Sequence, residues 1–188
     1  MLSLTDHLSS ELYWVQPKAM QRAFELRAGE GVVGSLRFET AFGSLATARA
    51  NGKAWSLKRM GFFRPHVTVR VAGGTDDIAV YRPRWTGTEG ELAFAGGSVY
   101  HWDVANFWAT HYEVKDREGN PLIAYRSGGV NSGMKGLFKR QAIVEVTDRG
   151  RSEPDIDLLI LIGWYLIILQ QEDSAATAAV VVSTAAVS

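Results

Sequence analysis

A mainly β fold, a closed antiparallel barrel of about twelve strands around a buried hydrophobic C-terminal helix, is what three features of this 188-residue chain predict. The first is an uninterrupted apolar run from Leu158 to Leu169, within DLLILIGWYLIILQQ. As a helix of about twelve residues it is roughly 18 Å long, too short for a hydrocarbon core of roughly 30 Å, so no transmembrane span is expected. The second feature is that the run is apolar on every side and must be enclosed by protein. The third is the succession of short alternating segments upstream, the material from which a closed sheet can be built.

The segments follow in order. Met20 to Arg27 and Gly34 to Glu39 alternate apolar and polar residues, with Phe24, Leu26, Leu36 and Phe38 as the inward set. Leu45 to Ala50 and Ala54 to Arg59 flank Asn51-Gly52-Lys53, where Asn-Gly supplies the positive φ angles of a tight hairpin. His66 to Val71 alternates strictly and places Val67, Val69 and Val71 on one, dry face and His66, Thr68 and Arg70 on the other, wet face. Asp77 to Arg82, Leu92 to Ala95 and Ser98 to Asp103 continue the pattern between Gly- and Pro-containing turns. Phe107 to Asp116 and Leu122 to Arg126 form a second hairpin through Arg117-Glu118-Gly119-Asn120, and Leu137 to Val146 is the last strand. Asp155 and Asp157 stand where acidic side chains suit a helix N-terminus. No repeat or linker divides the chain, so the expected organisation is an N-terminal segment 1–12, a barrel 13–171 with its central helix at 157–171, and a loosely ordered tail 172–188.

Composition narrows function more than it names it. With 46% hydrophobic residues the chain suits one domain with a substantial core. Lys plus Arg and Asp plus Glu number 20 each, so no global field draws it to nucleic acid, and no nucleic-acid partner is expected. The absence of cysteine removes disulfides, thiolate nucleophiles and cysteine-ligated metals, and fits a cytoplasmic protein. The N-terminus places Asp6 and Glu11 where an export signal needs a basic start and an apolar run.

The turn WSLKRMGFF (Trp55 to Phe63), the hairpin HYEVKDREGNPL (His111 to Leu122) and the terminal DLLILIGWYLIIL carry a likeness to a known group. From about Tyr13 to Gln171 the pattern resembles the tubby-like superfamily, which includes phospholipid scramblases and LURP-one-related proteins. The resemblance implies a barrel of about twelve strands around a hydrophobic C-terminal helix, used as a binding scaffold. It departs from the scramblases, whose acidic calcium segment is reduced here to Glu153, Asp155 and Asp157 and whose proline-rich arm and lipid-accepting cysteines are absent. Scrambling itself is therefore not implied.

Four groups of residues bear on chemistry. Gly29-x-Gly31-x-x-Gly34 spells the dinucleotide fingerprint, but the following SLRFE alternates like a strand where a helix N-terminus is required, so the glycines are expected to serve a tight connection and no cofactor is expected. His101-x-Asp103 and His111-x-Glu113 each put two metal-capable side chains on one strand face, which defines an alternative, a metal-assisted enzyme. Lys58, Arg59, Arg64, His66 and Arg70 cluster around Gly61 beside Phe62 and Phe63, and Arg82 and Arg84 follow two strands later. Cations beside aromatic rings suit a phosphate-bearing headgroup, so the expected partner is an anionic membrane lipid bound peripherally. Lys135, Lys139 and Arg140 form a second, smaller basic group. No nucleophile, base and orienter come together and no Gly-x-Ser-x-Gly elbow is present, so a non-enzymatic binding module is expected. A protein-interaction scaffold is the remaining alternative, and it calls for an exposed apolar patch.

Overall fold

The computed structural model describes residues 1–18, 20–85, 87–106, 109–127 and 139–185. Twelve strands run as an antiparallel meander: β1 (Leu12–Gln16), β2 (Ala23–Ala28), β3 (Gly31–Phe38), β4 (Ala46–Ala50), β5 (Lys53–Met60), β6 (His66–Val71), β7 (Asp77–Pro83), β8 (Glu89–Phe94), β9 (Val99–Val104), β10 (His111–Lys115), β11 (Pro121–Ser127) and β12 (Lys139–Val146). Each strand pairs with its neighbours in sequence, and β12 pairs with β1 to close the barrel. Closure leaves no unpaired edge. Alternation does the sorting: Phe24, Leu26, Leu36 and Phe38 are buried as the sequence predicts, and Val67, Val69, Tyr100, Trp102 and Tyr112 face the same interior. Asn51 and Gly52, at φ 50° and 74°, make the tight β4–β5 turn that Asn-Gly specifies.

Through this wall runs α2 (Ile156–Ala185), and every described residue from Ile156 to Leu169 except Gly163 belongs to the buried core or is the buried Asp157. Helix and wall interlock through aromatic rings. Trp164 stacks on Trp14 at 5.4 Å and meets Phe24 edge-on, while Tyr165 stacks on Phe38 at 5.5 Å. Gly163 is small for a reason: a methyl there would overlap the Tyr125 ring, whose hydroxyl donates to the Ile160 carbonyl at 3.0 Å. On the β4 side the inward residues are Ala46, Ala48 and Ala50, all fully buried, which leaves room for the bulky helix.

Two boundaries differ from expectation. The helix continues past Gln171 to Ala185, through the segment expected to fray. Arg22 pairs with Glu172 and Arg59 with Asp173, both at 2.7 Å, and these ties hold the first turn beyond the wall. The N-terminal segment, expected outside the barrel, closes one end of it. Leu4 and Leu8 are buried beside a short 3-10 turn (Thr5–His7), and Leu12 already belongs to β1. Within this segment the His7 ring Nδ1 lies 2.8 Å from the Ser3 carbonyl.

Because the sheet is a meander, its connections alternate between two ends. One end carries the N-terminal segment, the β4–β5 turn, the short α1 (Asp148–Arg151) and the start of α2. The other, the mouth, carries the β1–β2, β3–β4, β5–β6 and β7–β8 loops and the point where α2 leaves the wall.

Candidate functional site at the barrel mouth

At the mouth an open cavity of about 950 Å³ lies between α2 and the upper parts of β5, β6, β7 and β9. Its floor is apolar: Val67, Tyr81, Trp102, Leu166 and Leu169. Its rim is basic: Arg59 from the end of β5, Arg64 from the β5–β6 loop, His66 at the start of β6, Arg82 from β7 and Arg84 just after it. Gly61 turns the chain out of β5 at φ 80°, and a side chain there would collide with the Arg64 carbonyl, so a glycine sets the position of the 62–65 segment.

The rim cations are not equivalent. Arg59 is held by Asp173 of α2 through two Nη1 hydrogen bonds of 2.7 and 2.9 Å. Arg84 pairs with Glu89 at 3.1 Å. Among the described residues no ion pair or side-chain hydrogen bond engages the guanidinium of Arg64 or Arg82, so these two retain their donors for an anion. Burial pushes the Tyr81 phenol well up from its ordinary range, so it stays a neutral hydroxyl at the floor. Charge at the rim over an apolar floor suits an amphiphile with an anionic head.

Five of the seven cations chosen from the sequence, Arg59, Arg64, His66, Arg82 and Arg84, thus line one cavity. Lys58 and Arg70 do not. Trp55 and Leu57 point inward, so the period of two turns Lys58 to the outer wall and Arg59 to the mouth. Arg70 stands four residues down β6 from His66, roughly 13 Å nearer the opposite end, and pairs with Asp77 at 2.6 Å. Of the second basic group, Lys135 lies outside the described residues, whereas Lys139 and Arg140 pair through their backbones with Gln16 and Val15 of β1.

The proposed metal face is brought together by register, since Glu113 lies opposite Asp103 and Lys115 opposite His101. A lysine occupies its centre. Lys115 Nζ is 2.7 Å from Asp103 and 3.1 Å from Glu113, and the hydrogen bond to Asp103 raises its pKa further above the ordinary lysine range. His111 Nε2 is 3.3 Å from Glu113. Among the described residues no group of three or more potential ligands is arranged to hold a metal ion.

Sequence reasoning passed over Trp85, which stands beside Arg84 on the cavity wall and is 98% exposed. Nothing in a single loop distinguishes an exposed tryptophan from a core one. The meander does, because it sends alternate loops to the same end.

No family model, no curated protein and no solved structure matches this chain.

Proposed function

We propose that this protein is a non-enzymatic binding module of tubby-like kind whose barrel mouth takes a phosphate-bearing anionic lipid headgroup. The observation that carries the reading is the convergence of Arg59, Arg64, His66, Arg82 and Arg84 on one cavity with an apolar floor, with Arg64 and Arg82 free of ion pairs among the described residues. Guanidinium groups grip phosphate through paired N–H donors, and Tyr81, Trp102, Leu166 and Leu169 offer the glycerol and upper acyl region an apolar surface. The twelve-stranded wall and threaded helix support the tubby-like kinship, and peripheral attachment in the cytoplasm accords with the absence of cysteine and with the lack, among the described residues, of a helix long and apolar enough to cross a membrane.

Thermal unfolding with monomeric dihexanoyl phosphatidic acid, kept below its micellar concentration, tests the reading. A saturable rise in Tm that the Arg64→Ala/Arg82→Ala variant lacks is the expected result. No shift, or one equal in the variant, overturns it.

A further inference from the structure

We infer that the mouth end is a membrane-docking face: an apolar crown around the cavity enters the interface of an anionic bilayer, with the barrel axis directed at the membrane. The inference rests on the headgroup reading and supplies what that reading lacks, the source of the lipid and the orientation of the protein upon it.

The crown is made of five side chains, Met20, Phe42, Phe62, Phe63 and Trp85, each 91% exposed or more. They stand on four of the six connections of one end, the β1–β2, β3–β4, β5–β6 and β7–β8 loops, and no other described large apolar side chain is exposed to that degree. With strands about 4.8 Å apart, neighbouring tips stand roughly 10 Å from one another along the wall. An exposed large apolar side chain on one loop is unremarked in any protein; one on each of four consecutive mouth loops is a pattern.

Hydrogen bonds hold two of the loops that bear these tips. Arg22 donates to the Thr40 and Gly43 carbonyls at 2.9 and 2.6 Å, and Tyr165 of α2 donates to the Ser44 carbonyl at 2.7 Å, which fixes the loop bearing Phe42. The loop bearing Trp85 is closed by Arg84 N–H to the Glu89 carbonyl at 2.8 Å and Gly87 N–H to the Arg84 carbonyl at 2.9 Å.

A lipid surface is the occupant that fits. Only Phe63 and Trp85 of the crown line the cavity; the tips as a set are spread from β1 round to β8, and a fluid plane meets all of them at once. Arg64, Arg82 and Lys18 at the same end have side chains without ion pairs among the described residues, which complements anionic headgroups. In the middle of the crown α2 projects through the mouth, exposed from Gln171, and after Asp173 the sequence to Ser188 contains no charged residue. A second copy docked mouth to mouth has to accommodate two such helices, while an interface accepts an uncharged helix end.

The chain has no cysteine, so single cysteines can carry an environment-sensitive fluorophore without background. Phe42→Cys and Trp85→Cys report on the crown and Asp76→Cys, in the β6–β7 turn, on the opposite end. With vesicles of phosphatidylcholine containing phosphatidylserine, the crown labels are expected to shift to the blue and brighten several-fold while the Asp76 label is unchanged. Replacing Phe42, Phe62, Phe63 and Trp85 together by serine is expected to lower vesicle sedimentation at least tenfold at unchanged Tm. If the protein sediments with vesicles and the crown labels stay unchanged, or if it binds monomeric phosphatidic acid and does not sediment, the crown is refuted and the headgroup site stands. Blue-shifted labels and full sedimentation on pure phosphatidylcholine retain the crown and refute the headgroup site. A crown-label shift without vesicles, rising with protein concentration alongside a doubled mass, refutes the membrane face in favour of a dimer interface.

Discussion

The two ends of this barrel are built from the same strands and finished in opposite ways. At the closed end several polar groups are matched, and the only large apolar side chains left exposed among the described residues are Met1, Leu2 and Val71, none more than 64% exposed. Asn51 takes the Leu4 N–H at 2.6 Å, donates to Thr5 at 2.9 Å and reaches Asp157 at 3.3 Å, so one turn residue ties the N-terminal segment to the start of α2. Arg149 is 2.5 Å from the buried Asp116, and Thr147 caps α1 by accepting from Gly150 at 3.0 Å. At the mouth, by contrast, large rings stand in solvent and two guanidinium groups have no partner among the described residues. Neither feature stabilises a fold. The contrast in exposed rings sets the interlocked pole apart from the one proposed to bind.

Two tryptophans give the sharpest contrast. Trp164→Ala removes a fully buried ring packed between Trp14 and Phe24, and is expected to cost about 3–5 kcal/mol in urea unfolding. Trp85→Ala removes a ring 98% exposed and is expected to stay within about 0.5 kcal/mol of wild type while weakening vesicle binding. Equal losses from the two substitutions would end the division into a structural pole and a binding pole.

Next in size comes Asn51→Ala. It strands the Leu4 N–H, leaves the Asp157 carboxylate with the Leu158 N–H alone, and puts a β-carbon without side-chain compensation at φ 50°, so a loss of about 1–3 kcal/mol is expected by the same measurement. Vesicle binding at the far end should be unaltered once the protein is folded.

The same contrast explains what could be read from the sequence. The barrel and its helix were legible because the run Leu158 to Leu169 admits no amphipathic solution and because Asn51-Gly52 and Arg117 to Asn120 are local turn chemistry. The N-terminal plug was not. Leu4, Leu8 and Leu12 recur every four residues as in a helix, yet they serve a 3-10 turn and the start of a strand, and only the barrel that they close explains their burial. The helix beyond Gln171 was hidden by Val180 to Val182, whose β-branching lowers helix propensity. At the site, proximity in sequence brought Lys58 and Arg70 in with Arg59, although the parity of Trp55 and Leu57 on β5 already separates Lys58 from its neighbour. Phe42 and Trp85 become visible only after alternate loops are assigned to one end.

Two carboxylates at the closed end titrate in opposite senses. Burial, then the charges of Asp157 and Glu153, raise Asp155 above its ordinary value of 3.8. A raised carboxyl binds its proton more tightly in the folded state, so stability is lost as pH climbs through that raised value, and Asp155→Asn should melt higher than wild type at neutral pH, the gain vanishing below the ordinary carboxylate range. For Asp116 burial alone would raise the pKa, but hydrogen bonds from Asn120 and the Arg149 guanidinium outweigh it and hold the carboxyl low. Its contribution is present above the ordinary range and lost as pH falls through the lowered value, so Asp116→Asn should melt lower at neutral pH and converge on wild type in acid. Melting curves from pH 3 to 8 check both signs, and parallel curves for the two variants would contradict the assignment.

The smallest effect on stability should accompany an instructive effect on binding. Asp173 lies on the first exposed turn of α2 and holds Arg59, which otherwise belongs to the cavity rim. Both partners are more than a third exposed, so the pair adds little to folding, and Asp173→Asn is expected to change stability by less than about 0.5 kcal/mol. It also removes a negative charge from the proposed membrane face and releases the Arg59 guanidinium there. One such charge near an anionic surface is worth about 1 kcal/mol, so half-saturating vesicle concentration should fall about fivefold at low salt, and less as salt rises. Asp148→Asn, which frees Arg151 in the same way at the closed end, should leave vesicle binding unchanged. If both variants gain equally, attraction depends on net charge alone and the mouth has no privileged role; a gain confined to Asp173→Asn means that the acidic turn of α2 sets how strongly the rim attracts an anionic surface.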